Sequence, residues 1–98
     1  MLQLRPDVPG AAYFAVALDR VMLTWFEVEP GARFERHTHE ADQITMVLEG
    51  ELLFELDSGR EARVGPGEVM ALPAGVPHAV RAGDQRVKAV DAWSPPRR

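Results

Sequence analysis

Residues 31–50 read GARFERHTHEADQITMVLEG, with two histidines two positions apart near the centre. If Phe34 to His39 is an extended strand, His37 and His39 point to one face, because side chains alternate along a strand. A lone histidine is ordinarily a surface residue or a satisfied core residue. A His-x-His pair on one strand face differs, because two neutral imidazoles at that spacing can grip one ion from the same side. Gln43 follows His39 after three residues and can supply an amide oxygen. The third and last histidine, His78, follows the turn signal Pro73-Ala74-Gly75, so a neighbouring strand can bring it close. These residues predict a site for one divalent transition metal held by His37, His39, Gln43 and His78. Manganese, iron, nickel, cobalt and zinc all suit such donors.

Outward from this stretch, eight glycines and eight prolines cut the chain into short β-prone runs. No run has a helical period with caps, so the pattern predicts an all-β sandwich or barrel. The predicted strands are Val21 to Val28, Phe34 to His39, Gln43 to Leu48, Glu51 to Leu56, Arg60 to Val64, Glu68 to Leu72, Pro77 to Arg81 and Arg86 to Trp93. Glu49-Gly50 reads as a tight turn and Asp57-Ser58-Gly59 as a hairpin turn. Residues 1–20 are hard to assign, and Tyr13 to Leu18 reads as a strand or a short helix. On the last strand Val87, Ala89, Asp91 and Trp93 share a face that otherwise looks interior. A carboxylate there needs a partner, hydrogen bonds or a nearby metal.

At 98 residues the chain is expected to form one domain, residues 1–98. It is 46% apolar, enough for a core, yet short enough that burial is limited. Without cysteine, extra support must come from a metal, from oligomerisation or from tight packing. A homodimer is therefore expected. The absence of cysteine fits a reducing compartment. The opening MLQLRPDVPG lacks the layout of a secretory signal, and no apolar run approaches the roughly 18 residues that span a bilayer. A cytoplasmic protein is expected. The net charge of -4 opposes attraction to nucleic acid or anionic lipid, so neither is an expected partner.

The spacing carries a family resemblance. Gly31-x5-His37-x-His39-x3-Gln43-x6-Gly50 is similar to the first cupin motif, G-x5-H-x-H-x3-E-x6-G, over residues 31–50. Gly67-x5-Pro73-x-Gly75-x2-His78-x3-Ala82 is similar to the second, G-x5-P-x-G-x2-H-x3-N, over residues 67–82. The resemblance implies an RmlC-like, six-stranded jelly-roll β-barrel with the metal inside. Gln43 stands where many cupins have glutamate, and Ala82 where the motif has asparagine. Four neutral ligands leave the ion its full charge, which favours polarisation over redox chemistry.

The end of the chain, residues 86–98, reads by residue type as a closing strand and a stiff proline tail. Yet Asp91-Ala92-Trp93-Ser94-Pro95-Pro96-Arg97 also resembles the D-x-F-S-P-P-R ending of small pectin-degradation cupins of the KdgF type. Those proteins open the ring of 4,5-unsaturated uronates. The resemblance implies that Asp91 is an acidic active-site residue, that Trp93 lines the substrate pocket where they have phenylalanine, and that Arg97 binds a substrate carboxylate. It implies a small-molecule substrate, a sugar acid or another carboxylate. Two rivals stand beside ring opening: a metal-dependent dioxygenase and a non-enzymatic module binding a sugar or small ligand. Fold alone does not separate them. Met22, Met46 and Met70 read as packing residues. Trp25, Phe26, Phe34 and Phe54 read as core or dimer-interface residues. Glu35 can share the inward face with His37, though surface or ion-pair duty suits it better.

Overall fold

In the computed structural model, residues 2–4 and 11–96 are described. Ten strands run through them: β1 (Leu2–Leu4), β2 (Ala11–Ala17), β3 (Met22–Val28), β4 (Arg33–His37), β5 (Asp42–Glu49), β6 (Leu52–Glu55), β7 (Glu61–Val64), β8 (Val69–Leu72), β9 (His78–Ala82) and β10 (Val87–Ser94). Among the described residues there is, apart from strands, one 3-10 turn, Asp57–Gly59, which joins β6 to β7. The chain is all-β, as its turn-punctuated pattern predicts. Among the described residues no helix is long and apolar enough to cross a membrane.

Two antiparallel sheets face each other in a jelly-roll barrel. One has six strands in the order β1-β2-β3-β10-β5-β8, and the other has four in the order β4-β9-β6-β7. The strand count exceeds the six that the cupin resemblance implies. Part of the difference lies near the N-terminus, where β1 and β2 pair and β2 extends the sheet beside β3. Tyr13 to Ala17 thus falls on a strand, not a helix, and Leu18 follows it. The turn expected at Glu49-Gly50 is a bend at Gly50 after β5 ends at Glu49, and it carries the chain from β5 in one sheet to β6 in the other, so the two strands do not pair.

Alternation places the core. On β3 the residues Met22, Thr24, Phe26 and Val28 are buried while Leu23 and Trp25 are exposed. On β10 the inward set is Val87, Ala89, Asp91 and Trp93, and on β5 it is Gln43, Thr45 and Val47. Phe26, Val47, Leu52, Phe54, Val64 and Val87 form the main cluster between the sheets. Phe26 meets the partly buried Phe34 edge to face, with ring centroids 6.4 Å apart. Each large side chain buried in this way stabilises by roughly 1.5–3 kcal/mol. Of the methionines, Met22 is buried and Met70 packs on the core, whereas Met46 faces outward.

The strand carrying the His-x-His pair departs from the expected run. β4 ends at His37, so His39 lies beyond it. The pairing of β4 with β9 shifts register between Phe34 and His37. Such a bulge inserts a residue and re-aims the side chains after it. Phe34 and His37 are both half-buried, while Glu35 and Arg36 between them are exposed. Glu35 therefore does not share the face of His37. Its side chain is 83% exposed and pairs with Arg33 at 3.5 Å.

Gly50 shows what the inter-sheet turn demands. Its φ is +77°, and a Cβ there would collide with the carbonyl of Arg86. Gly59 has a similar φ of +75° but nothing within 4 Å of such a Cβ. Gly59→Ala should therefore lose only the left-handed strain, about 1–2 kcal/mol. Gly50→Ala should lose clearly more, and denaturant unfolding of the two variants measures the difference.

Candidate metal centre

His37 closes β4 and His78 opens β9, and the two residues face each other directly across that strand pair. Their ring centroids are 4.5 Å apart. His39, just past β4, lies 5.7 Å from His37 and 5.2 Å from His78. One ligand nitrogen from each of the three rings falls within 4.8 Å of the others. His78 is buried, and His37 and His39 are half-buried.

The backbone sets the proton on each ring. His37 Nδ1 donates to the Glu35 carbonyl at 2.7 Å, His39 Nδ1 to the Ala41 carbonyl at 2.8 Å, and His78 Nδ1 to the Val76 carbonyl at 2.9 Å. A carbonyl oxygen only accepts, so Nδ1 carries the hydrogen in all three. In the neutral ring that leaves Nε2 with its lone pair. This outer-nitrogen bond to a carbonyl is the usual way of orienting an imidazole toward a metal.

Gln43 completes the set from the opposite sheet. It sits on the inward face of β5, and its Oε1 lies 3.0 Å from His39 Nε2. Two lone pairs so close repel unless something positive lies between them. The amide orientation follows from the residues behind it. Thr45 donates its hydroxyl hydrogen to Asp91 Oδ1 at 2.5 Å. Its oxygen is then an acceptor, and it receives Gln43 Nε2 at 2.7 Å. Gln43 Nε2 also reaches Asp91 Oδ1 at 3.4 Å. The amide nitrogen must face Thr45 and Asp91, so the oxygen must face the imidazoles. Three lone-pair nitrogens and an amide oxygen, all uncharged, suit a divalent cation better than they suit one another.

Asp91 is 7% exposed, and both of its oxygens are engaged. Thr24 donates to Oδ2 at 3.3 Å, and Trp93 Nε1 donates to Thr24 Oγ1 at 3.0 Å. The Trp93 ring is buried and meets the His39 ring edge to face at 5.0 Å. The structure thus brings His37, His39, Gln43, His78, Asp91 and Trp93 into one region. Arg97 lies outside the described residues. Thr24 and Thr45 escaped the sequence reading. Their signal was there in the pattern, as polar residues at inward positions of β3 and β5. Among the described residues every buried side-chain nitrogen and oxygen has a partner.

With this geometry in place, the chain can be set beside known proteins. Residues 24–93 match the Cupin_2 family, described as the cupin domain. KdgF from Halomonas sp. superposes with a TM-score of 0.86 at 27% identity, over 95% of this chain and 86% of that one. The polyketide cyclase RemF from Streptomyces resistomycificus superposes with a TM-score of 0.82 at 32% identity, over 95% of this chain and 70% of that one. Over 63 residues the chain is 35% identical to the dimethylsulfoniopropionate lyase DddQ of Ruegeria pomeroyi. That match takes in 64% of this chain and spans only 31% of the lyase.

Thr45→Val keeps the shape of the side chain and removes its hydroxyl. It should free the Gln43 amide to turn and weaken metal affinity by about 10–100-fold, as loss of such supporting bonds does elsewhere. Thr45→Ser should restore it. Competition with a chromophoric chelator reads both, and affinity equal to wild type in the valine variant would refute the positioning role.

Proposed function

This chain belongs to the cupin domain family, and from that premise we propose that it is a divalent-metal-dependent enzyme that opens the ring of a 4,5-unsaturated uronate. The observation that carries the reading is the set of four uncharged donors with a buried carboxylate one hydrogen bond behind them. Similarity to KdgF over 95% of the chain supports it, as does the Asp91-to-Arg97 ending. The proposal takes residues 1–98 as one cytoplasmic domain acting as a homodimer.

His37, His39 and His78 would hold the ion through Nε2, and Gln43 through Oε1. When bound, such an ion supplies Lewis-acid polarisation of a substrate oxygen. The protein's own groups handle the proton and the fit. Asp91 takes the proton of the anomeric hydroxyl as the bond between C1 and the ring oxygen breaks. C1 becomes a carbonyl, and the ring oxygen stays on C5 as an enolate. Returning the proton to C4 gives the linear ketone, so no water is consumed and nothing is oxidised. Trp93, packed on His39, shapes the wall of the pocket. Arg97 pairs with the substrate carboxylate through its planar fork.

A second reading is favoured by the match to DddQ: an elimination on another small carboxylate, with the same donors and Asp91 again as base. Turnover on the two substrate classes separates it from ring opening.

Chelator-treated protein should leave the enol-ether absorbance of unsaturated galacturonate and glucuronate unchanged, and added divalent metal should restore its loss. Asp91→Asn should lower turnover by about 10²–10⁴-fold at saturating metal, the usual share of a positioned base. Metal-loaded wild type that leaves both sugars intact would refute the substrate. Oxygen uptake during turnover would point instead to a dioxygenase, and ligand binding without turnover to a binding module.

A further inference from the structure

Asp91 has a threonine beside it on each neighbouring strand. Cross-strand register sets it opposite Thr24 of β3 and opposite Thr45 of β5. All three side chains point inward, and none is more than 7% exposed. Thr45 already has a task, since it links Oδ1 of Asp91 to the Gln43 amide. Thr24 reaches the other carboxylate oxygen, Oδ2, at 3.3 Å. Its second neighbour is Trp93, which lies opposite Met22 in register and so stands diagonal to Thr24. A diagonal neighbour is within reach of an aromatic side chain.

Chemistry fixes the direction of these bonds. An indole N–H only donates, so Thr24 Oγ1 accepts from Trp93 Nε1 at 3.0 Å. The one hydrogen of the hydroxyl is then given to Asp91 Oδ2. The donors run one way, from Trp93 through Thr24 to Asp91. Phenylalanine, which the KdgF-type ending has at position 93, carries no such donor. On its other side the Trp93 ring meets His39 edge to face at 5.0 Å. One rigid side chain thus stands between a candidate metal ligand and the threonine that holds the carboxylate.

We propose that Thr24 and Trp93 are positioning residues that together fix the plane of the Asp91 carboxylate. The task of Asp91 as a base rests on the ring-opening reading, whereas its placement does not. The torsion that turns a carboxylate is broad and roughly two-fold, so packing holds it loosely. Thr45 on Oδ1 and Thr24 on Oδ2 grip it from the two neighbouring strands and stop that turn. A threonine hydroxyl can itself rotate, and the Trp93 N–H removes that freedom. Proton transfer needs the accepting oxygen within hydrogen-bond reach of the proton, so the plane of the carboxylate decides how well Asp91 can act.

Nuclear magnetic resonance on the full chain tests the assignment without substrate. Two signals are followed. One is the Trp93 indole proton, with that of Trp25 as control. The other is the carboxyl carbon of Asp91, assigned by its loss in Asp91→Asn. Thr24→Val keeps the side-chain shape and removes the hydroxyl. It should move the Trp93 indole proton upfield, leave that of Trp25 in place and shift the Asp91 carbon. Thr24→Ser should return both signals. Trp93→Phe should shift the Asp91 carbon in the same direction, and the double variant no further than Thr24→Val alone. An Asp91 carbon that stays put in folded Thr24→Val would overturn the proposal, as would shifts that add in the double variant. Should Thr24→Val not fold by circular dichroism, wild type decides. A nuclear Overhauser contact between the Thr24 hydroxyl proton and the Trp93 indole proton is expected. A Thr24 hydroxyl that exchanges with water as fast as that of exposed Thr38 would overturn the proposal. In turnover of unsaturated galacturonate at saturating metal, Thr24→Val should lower kcat by up to about 100-fold, the cost of a misplacement near 1 Å, with KM unchanged. An unchanged kcat in that variant would also overturn it. A wild type inert toward the sugar refutes ring opening alone, and the two resonances then decide the positioning.

Discussion

Contact between the inner faces of the two sheets is the constraint on which everything else rests, because the candidate metal centre is divided between them. His37 and His78 stand on β4 and β9 of the four-stranded sheet, whereas Gln43, Thr45, Thr24, Asp91 and Trp93 belong to β5, β3 and β10 of the six-stranded one. Nothing local in the chain brings these groups together. The packing of Phe26, Val47, Phe54 and Val87 between the sheets does. Since interiors are close-packed, a change of volume there shifts one half of the site against the other before any donor is altered.

The donors are oriented by two different means. Each imidazole is held by a carbonyl two residues away in its own chain segment. That bond forms wherever the local backbone forms. The amide of Gln43 is held through Thr45 by Asp91, 46 residues further along than Thr45. Its orientation exists only once β5 and β10 have paired. The imidazoles are thus set locally and the amide by long-range pairing.

This arrangement also recasts the departure at position 43. Many cupins place a carboxylate there, in direct reach of the ion. Here the side chain at that position is a neutral amide, and the nearest carboxyl group is that of Asp91, one hydrogen bond behind it. In a buried site a chain of hydrogen bonds polarises each member in turn. The Gln43 amide is thus tied to Asp91 on one side and faces the imidazoles on the other. The same β-alternation that turns Asp91 inward turns Val90 and Ala92 outward.

The sequence by itself determined the all-β class, the positions of most strands to within a residue or two, and the identity of the converging histidines. Those features depend on alternation, turn residues and short spacings, which act over a few neighbouring residues. It also predicted a strand running to His39 and left helix open for Tyr13 to Leu18, while preferring for Glu35 the surface ion-pair place it takes beside Arg33. The bulge that separates Glu35 from the face of His37 arises from pairing with β9, whose partner residues are 41 to 48 positions away. Thr24 and Thr45 acquire a role only because Asp91 closes on them from 67 and 46 residues away. Contacts of that span depend on how the whole chain packs, and no local preference encodes them.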